Sequence, residues 1–402
     1  MKLCSLLVGA AVLAAASVTS AGPASPWLPS WYAAPAASSN ETAPVKDLTL
    51  RQIVRVTAGG KQVRVTLSNA YGKAPLHINS AYVAAREDGA TTKGPAVKLR
   101  FNGADDVTIA PGAFAVSDAV AFAVKQQSDL AVSLYVAEGV AATGHLTQRS
   151  AIYFAKGDVA AEAHLNAGAG PDGTWGSNLF VTEVEVSGSS DKGLVVAYGD
   201  SITDGMNVAG DAGRTWPDRL YERLHADHRP LAVINAGLSG NRLTRPPQWA
   251  PFGEMGVSRF DRDALNQPNL RHVIVMLGIN DIGQTKPGAW DYAPAEEIEK
   301  GLAQLIERAH AKQVKLYLAT LAPFRGAKDG YFTEDKEKLR QAVNAWIRTD
   351  SKADGVADFD KALDDPAHPG QLKPADDSGD HLHPNANGAA DMADAIPLAW
   401  FH

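Results

Sequence analysis

Cysteine is almost absent from this chain of 402 residues, which contains a single one, Cys4. It lies in an N-terminal segment with the outline of a secretory signal peptide: a lysine, an apolar run over residues 3–18, and small residues up to Ala21. Removal of residues 1–21 would leave no thiol, so we expect a mature protein without disulfides. A transmembrane anchor is the alternative interpretation, but the apolar run is short for a span. The segment therefore predicts a secreted or periplasmic protein without a membrane anchor.

Positive charge is also scarce. The formal net charge is −7, and loss of Lys2 with the signal would bring it to about −8 by the same count. There is no run of basic residues, and the arginines between positions 242 and 262 alternate with acids, prolines and aromatic residues, as in a solvated loop. These features argue against nucleic acid and anionic membranes as partners.

The motifs of two common hydrolase classes are missing. The chain contains no His-Glu-x-x-His sequence and no paired cysteines, so we predict neither a metal site nor a cofactor. It also lacks the Gly-x-Ser-x-Gly pentapeptide that is typical of α/β-hydrolases. Any catalysis is therefore expected from ordinary side chains in another arrangement.

The most informative stretch runs from Val195 to Gly205, where an apolar run ends in Gly199-Asp200-Ser201. Such a run predicts a buried strand. A serine directly behind it would lie at the carboxyl edge of a parallel sheet, where open α/β folds bind their ligands. Taken alone, Ser201 could instead be a turn residue or a helix N-cap.

Three further segments follow in order along the chain. The first is glycine-rich, contains Gly240, and would allow a backbone N–H to face a substrate oxygen. The second places the side-chain amide of Asn280 directly behind an apolar run. The third holds Asp380 and His383, at a spacing that lets the carboxylate orient the imidazole. Each has a structural explanation of its own, but together with the serine they predict a nucleophile, a base and donors for a developing oxyanion.

On these residues the chain resembles the SGNH hydrolases, also called GDSL esterases and lipases. The resemblance covers about residues 194–402. It extends upstream, because the region from Trp27 to Val186, with Trp27 and Trp31 at its start, is similar to the N-terminal domain of a secreted bacterial subgroup.

The resemblance implies a role for each matched residue. Ser201 would be the nucleophile, His383 the base, and Asp380 the carboxylate that orients the imidazole. The oxyanion hole would consist of the N–H groups of Ser201 and Gly240 and the side chain of Asn280.

Two other histidines compete with His383 for the role of base. His381 lies in the short spacer between Asp380 and His383, where the family does not usually have a second histidine. The residue three positions before His381 is Ser378, not a carboxylate. His368 follows Asp365 at the same spacing, in a stretch of prolines and glycines without a helical pattern. His383 leads directly into the last predicted helix, which favours it.

The length indicates two domains after the signal, at residues 22–190 and 191–402. In the first, short runs of alternating apolar and polar residues predict an antiparallel β-sandwich of the jelly-roll type. We expect Gly59-Gly60 to form the turn of a hairpin. The domain would either bind carbohydrate or pack against the catalytic part.

In the second domain, apolar runs alternate with helical patterns, such as those beginning at Thr215 and Glu296. This alternation predicts right-handed crossovers and a parallel sheet covered on both faces, the three-layer α/β/α fold that the resemblance also implies. The segment Asn241–Gln267 looks too irregular for a core element and is, with residues 322–324, the candidate substrate pocket. The candidate lining residues are Asn241, Arg242, Phe324 and Leu382.

We therefore expect a secreted serine hydrolase of small carboxylic esters, such as O-acetyl groups on carbohydrate. A lipase or thioesterase with a longer acyl pocket is one alternative. A catalytically silent glycan-binding protein is another. The expected partner is a small-molecule or carbohydrate ester, and the sequence gives no prediction of the oligomeric state.

Overall fold

A computed structural model of the chain describes residues 25–38, 44–146, 151–167, 177–208 and 214–402. The predicted signal peptide, with Cys4, lies outside these ranges. Among the helices within them, none has the length and apolar character needed to cross a membrane.

The described strands are numbered along the chain. Those of the N-terminal part are β1 (Trp27–Tyr32), β2 (Ala36–Ala37), β3 (Leu48–Val56), β4 (Gly60–Ser68), β5 (Leu76–Ile78), β6 (Ser80–Asp88), β7 (Thr91–Lys98), β8 (Val107–Ile109), β9 (Phe114–Val116), β10 (Val120–Val124), β11 (Ser128–Val136), β12 (Thr143–Leu146), β13 (Ile152–Lys156), β14 (Ser177–Leu179) and β15 (Val181–Ser187). Those of the C-terminal part are β16 (Leu194–Gly199), β17 (Ala232–Gly237), β18 (Leu270–Met276), β19 (Lys315–Ala319) and β20 (Gly355–Ala357).

The strands β1 to β15 form two antiparallel five-stranded sheets and two smaller ones. One large sheet has the order β1-β15-β4-β10, with β9 beside β4, and the other has the order β13-β3-β11-β6-β7. Successive side chains of a strand point to opposite faces. Alternate residues such as Val54 of β3 and Val65 of β4 therefore meet in one apolar core. The predicted β-sandwich is confirmed.

The predicted hairpin at Gly59-Gly60 is wrong. The flanking strands β3 and β4 belong to different sheets, so Gly59 lies in a crossover between the sheets and Gly60 is the first residue of β4. A Cβ on Gly59 would lie 2.8 Å from the carbonyl oxygen of Val124, and one on Gly60 would lie 2.7 Å from Cβ of Val186. The glycines are needed for this close approach. Alternation shows that a segment is a strand, but it does not show which strand pairs with it.

The C-terminal sheet is parallel, with the order β17-β16-β18-β19-β20. Val196 of β16 lies opposite Ile234 of β17 and Val273 of β18. Val196 belongs to the apolar core on one face of the sheet, and its neighbour Val195 belongs to a second core on the other face. The predicted three-layer α/β/α fold is confirmed. Because the chain leaves β16 towards β17 and returns on its other side to β18, the loops after β16 and β18 diverge, as at ligand sites of open sheets.

The helices are α1 (Ser201–Asp204), α2 (Trp216–Ala226), α3 (Gly256–Phe260), α4 (Ile279–Gly283), α5 (Ala295–Ala311), α6 (Glu334–Thr349), α7 (Phe359–Leu363) and α8 (Ala386–Asp394). Short 3₁₀ helices cover Ala250–Phe252 and Leu398–Trp400, and a π-helical turn covers Asp261–Leu265. The helix start predicted at Thr215 is confirmed, since Thr215 and Asp218 form a capping box in front of α2.

The expectation that residues 241–267 contribute no core element is wrong in part, because α3 packs into the core. The expectation of solvated arginines also fails at two positions. Arg242 and Arg259 are fully buried, with Arg242 Nη1 2.7 Å from Asp291 Oδ2 and Arg259 Nη1 3.1 Å from Asp263 Oδ2. A guanidinium can be buried when carboxylates and carbonyls satisfy its N–H groups. The partner of Arg259 is a nearby acid in the same stretch, whereas the partner of Arg242 lies 49 residues further along the chain.

The N-terminal sheets and the parallel sheet share one apolar core. Strand β1 lies beside β17, and Leu28 and Trp31 belong to the same cluster of buried side chains as Ala232 and Ile234. The elements that follow β17 are therefore held from the N-terminal side as well.

Candidate active site

Ser201 is the first residue of α1, and one residue, Asp200, separates it from the end of β16. The side chain of Asp200 caps this short helix by accepting a hydrogen bond of 3.1 Å from Ile202 N–H. The turn is tight: a Cβ on Gly199 would lie 2.2 Å from Thr203 Oγ1. Only glycine fits there, so the sequence Gly-Asp-Ser places the serine hydroxyl at the carboxyl edge of the sheet, as expected.

Arg259 joins the ends of the two strands at this edge. Its guanidinium donates hydrogen bonds to the carbonyl oxygens of Gly199 (2.7 Å) and Ala236 (3.0 Å) and to Asn241 Oδ1 (2.9 Å). Gly199 precedes the serine turn and Asn241 follows Gly240, so one buried cation fixes the backbone on both sides of the site.

Ser201, His383 and Asp380 form a continuous hydrogen-bonded chain. Ser201 Oγ lies 2.8 Å from His383 Nε2, and His383 Nδ1 lies 2.6 Å from Asp380 Oδ2. Burial alone would raise the pKa of Asp380, but hydrogen bonds from the His383 ring and backbone and from Leu382 N–H, together with the charge of His383, hold this pKa well below its usual range. The carboxylate thus stays ionised and fixes Nδ1–H, so Nε2 can accept the serine proton.

Among the described residues, three histidines have Nδ1 within hydrogen-bond distance of a carboxylate. Besides the pair at His383, His368 Nδ1 lies 2.8 Å from Asp365 Oδ2, and His381 Nδ1 lies 2.6 Å from Asp377 Oδ2. Their side chains are 64% and 46% exposed, against 13% for His383. The contact with Ser201 distinguishes His383. The partner of His381 lies four residues before it, a spacing that the sequence reading overlooked.

Gly240 and Asn280 lie close together and are joined by Gln284. The Gln284 amide donates to Gly240 O at 3.1 Å and to Asn280 Oδ1 at 2.8 Å. Tyr331 O–H donates to the same Asn280 oxygen at 2.9 Å. Because the oxygen is occupied twice, the amide of Asn280 is held with its N–H groups on the other side, and one of them donates to Asn241 O at 3.0 Å.

Several residues of the site were missed by the sequence reading. Gln284 follows Asn280 at a spacing of four, which a helical reading of α4 could have detected. Tyr331 lies on a loop in front of α6 and has no local signal. Asn207 donates to Asp380 Oδ2 at 2.9 Å, and it too carries no signal in the sequence.

Asp200 is a fully buried carboxyl group beside the serine. Burial raises its pKa to about 7, against the lowering effects of the Ile202 N–H bond and the charges of His383 and Arg259. Its Oδ2 atom is buried without a hydrogen-bond partner among the described residues.

Two buried contacts reach the site from the N-terminal part. His145 on β12 lies with Nε2 3.0 Å from Oδ1 of Asp204, the last residue of α1, and Ser239 O–H donates to the other oxygen of Asp204 at 2.8 Å. Tyr32 O–H donates to Asp263 Oδ1 at 2.7 Å, and Asp263 is the ion-pair partner of Arg259. The short helix with Ser201 and the loop with Gly240 are thus both supported from this side.

A cavity of about 540 Å³ opens beside the His383 loop. Its wall includes Leu382, one of the four residues predicted to line the substrate pocket. The structure does not bring Asn241, Arg242 and Phe324 to this wall, since all three are fully buried. The lining residues are Gln248, Gly283, Gln284, Ala327, Lys328, Asp329, Tyr331, Gly379, Asp380 and Leu382.

At the carboxyl edge of the parallel sheet, a serine hydroxyl is hydrogen-bonded to an imidazole, and the imidazole to a carboxylate. This is the arrangement of a serine hydrolase. Residues 197–390 match the family model described as GDSL-like Lipase/Acylhydrolase family. This segment is a GDSL-like lipase/acylhydrolase domain, and the protein is a carboxylic ester hydrolase. No protein of curated function matches the chain significantly.

Solved structures similar to the chain overlap about half of it. LAE5, an α/β hydrolase enzyme from the metagenome of Lake Arreo, Spain, is 24% identical over 51% of this chain and 93% of its own, with a TM-score of 0.39. The lipase/acylhydrolase from Enterococcus faecalis is 20% identical over 52% and 94%, with a TM-score of 0.40. A variant of the acetyl xylan esterase Axe2 from Geobacillus stearothermophilus is 21% identical over 51% and 93%, with a TM-score of 0.38.

Proposed function

We propose that the protein is a secreted serine esterase that removes small acyl groups, with O-acetyl groups on carbohydrate as the substrate class. Ser201 is the nucleophile, His383 the general base, and Asp380 the group that orients the imidazole. The observation that carries the proposal is the chain of hydrogen bonds from Ser201 Oγ through His383 to Asp380, at 2.8 and 2.6 Å.

Acylation begins when Ser201 Oγ attacks the ester carbonyl carbon and His383 Nε2 takes the hydroxyl proton. The N–H groups of Ser201 and Gly240 and the Asn280 amide donate to the oxyanion that forms. The intermediate collapses, the carbon–oxygen bond to the alcohol breaks, and His383 gives its proton to the departing alkoxide. Water then attacks the acyl-serine with His383 as base again, and the second collapse releases the acid and returns the proton to Ser201.

The cavity supports a small or hydroxylated substrate over a long acyl chain. Its wall carries the polar and charged side chains of Gln248, Gln284, Lys328 and Asp329. Sites for aliphatic chains are lined predominantly by apolar side chains. The proposed secretion rests on the N-terminal sequence, and sequencing of the mature N-terminus from periplasm and medium tests it, since cleavage near residue 22 is expected.

The Ser201→Ala variant tests the proposed nucleophile. We expect kcat for p-nitrophenyl acetate to fall at least about a thousandfold, with an unchanged melting temperature, because one hydroxyl is removed from an otherwise intact turn. A serine-directed phosphonate should label the wild type and the control Ser351→Ala, but not Ser201→Ala. Substantial turnover by correctly folded Ser201→Ala would show that another group is the nucleophile.

A further inference from the structure

The cavity beside the His383 loop continues into a second one. The second cavity, of about 390 Å³, reaches Lys286, Ala289 and Asp291. The two cavities share the wall residues Gln248, Gly283, Gln284 and Asp329, so they form one depression, which we call the side groove. The side groove is larger than a small acyl group requires.

The lining of the side groove is polar and has no dominant charge. Its charged lining residues are three lysines and three aspartates: Lys286, Lys328, Lys336, Asp291, Asp329 and Asp380. Amide side chains lie between them, at Gln248 and Gln284. A groove of mixed charge does not select an ionic ligand, whereas amides and charged groups together can bind many hydroxyl groups.

Two exposed tryptophans are next in sequence to residues that line this groove. Within the described residues, the large hydrophobic side chains with marked exposure are Phe114, Val116, Trp249 and Trp290. Trp249 follows the groove residue Gln248, and Trp290, 82% exposed, stands between the groove residues Ala289 and Asp291. Exposed apolar surface concentrated at a polar groove is typical of a ligand-binding site.

The loop that carries Trp290 is firmly anchored. Asp291 Oδ2 accepts hydrogen bonds from buried Arg242 (2.7 Å) and from Gln248 (3.1 Å), and Asp291 Oδ1 accepts one from Thr285 (3.1 Å). Although burial opposes it, these bonds lower the pKa of Asp291 to about 2. The backbone that carries Trp290 is therefore fixed next to a groove residue, and a preorganised binding surface loses little entropy on binding.

We propose that the side groove binds the sugar chain of a neutral acetylated oligosaccharide, with Trp290 stacking on a ring remote from the ester. The apolar C–H face of a pyranose ring would cover the indole, while its hydroxyl groups would bind the amides of Gln248 and Gln284. This inference rests on the proposed function, because it places the acetyl group at Ser201. It adds that Trp290 determines the preference for polymeric over small esters.

The test compares Trp290→Ala with wild type on p-nitrophenyl acetate and on an O-acetylated xylo-hexasaccharide. We expect kcat/KM for the hexasaccharide to fall about tenfold, mainly through KM, as for loss of one aromatic contact. Hydrolysis of p-nitrophenyl acetate should not change, since it cannot reach Trp290. Trp290→Phe should restore part of the loss. Phe114→Ala, at an exposed aromatic residue on β9, is the matched control and should affect neither substrate.

Binding is measured separately by calorimetry with the deacetylated hexasaccharide in the Ser201→Ala background. A tenfold weaker affinity on addition of Trp290→Ala supports the inference. This result does not depend on the role of Ser201: if p-nitrophenyl acetate hydrolysis proved independent of Ser201, only the proposed function would be defeated. Equal hexasaccharide affinity and equal KM for Trp290→Ala and wild type would overturn the inference. Both proteins are also assayed on the long-chain ester p-nitrophenyl octanoate. A loss of activity confined to this ester would overturn the inference, because the groove would then bind acyl chains.

Discussion

At the scale of the residue, the three histidine–carboxylate pairs differ in one contact. That contact indicates which histidine is the expected base. Only His383 among them lies against Ser201 Oγ. We therefore predict that His383→Ala lowers kcat at least about a thousandfold, as for loss of a member of a catalytic triad. His368→Ala and His381→Ala, the matched controls, should each cost less than about tenfold. Steady-state kinetics on p-nitrophenyl acetate measure these effects. If either control variant lowered kcat as much as His383→Ala, the assignment of the base would be wrong.

Asp200 gives a second prediction at this scale, on stability against pH. Its folded-state pKa is raised to about 7 by burial, from about 3.9 in an unfolded chain. The stability from the neutral carboxyl group is therefore fully present below about pH 4 and is lost as the pH rises towards 7, at roughly 1.4 kcal/mol per pH unit. Asp200→Asn removes this loss.

We expect the melting temperature of Asp200→Asn to rise relative to wild type between pH 4 and 7, and the difference to stay constant above about pH 8. Scanning calorimetry of both proteins over this range measures it. Other carboxylates, such as Asp380, titrate in both proteins and cancel in the comparison. Parallel pH curves for the two proteins would show that Asp200 is ionised throughout.

At the scale of the element, the loop after β17 depends on Gly240. This residue has φ +75°, and a Cβ on it would lie 2.1 Å from the ring of Phe252. We predict that Gly240→Ala lowers kcat about a hundredfold, because a displaced N–H no longer meets the oxyanion. Gly112→Ala is the matched control, since Gly112 has φ +79° with nothing within 4 Å. It should cost only roughly 1–2 kcal/mol of stability through backbone strain. Equal kcat for the two variants would remove Gly240 from the oxyanion hole.

At the scale of the whole molecule, the N-terminal sandwich supports the site through His145. The predicted consequence is that His145→Ala lowers kcat about tenfold with little change in KM, and lowers stability by roughly 1–3 kcal/mol, since buried Asp204 loses a partner. His77→Ala, at a partly exposed histidine in the same part of the chain, should do neither. A variant with a lower melting temperature but wild-type kcat would mean that His145 stabilises the fold without positioning α1.

The apolar contacts between β1 and the parallel sheet predict that residues 191–402 alone are poorly soluble. Leu28 and Trp31 cover Ala232 and Ile234 in the complete chain, and their removal would expose apolar surface of the parallel sheet. Expression of this fragment, with light scattering as the readout, tests the prediction. A soluble and fully active fragment would instead identify the sandwich as an independent module.

The sequence by itself determined the strand ends and the local pairs of the site. A polar residue directly behind a buried parallel strand lies at the sheet edge whatever its neighbours are, so Ser201 and Asn280 could be recognised. Asp380 and His383 are three residues apart, and their contact depends on one turn only. The same local logic holds for the capping box in front of α2.

Only the tertiary structure decided which distant segments meet. It brought His383, alone among the three similar pairs, against Ser201, placed β3 and β4 in different sheets, and buried Arg242 and Arg259 beside carboxylates. It also brought His145 to Asp204 and Tyr331 to Asn280 across 59 and 51 residues of chain. The physical reason is that spacing and alternation describe one segment at a time. Pairing between segments depends on how whole faces pack, and no short stretch of sequence contains that information.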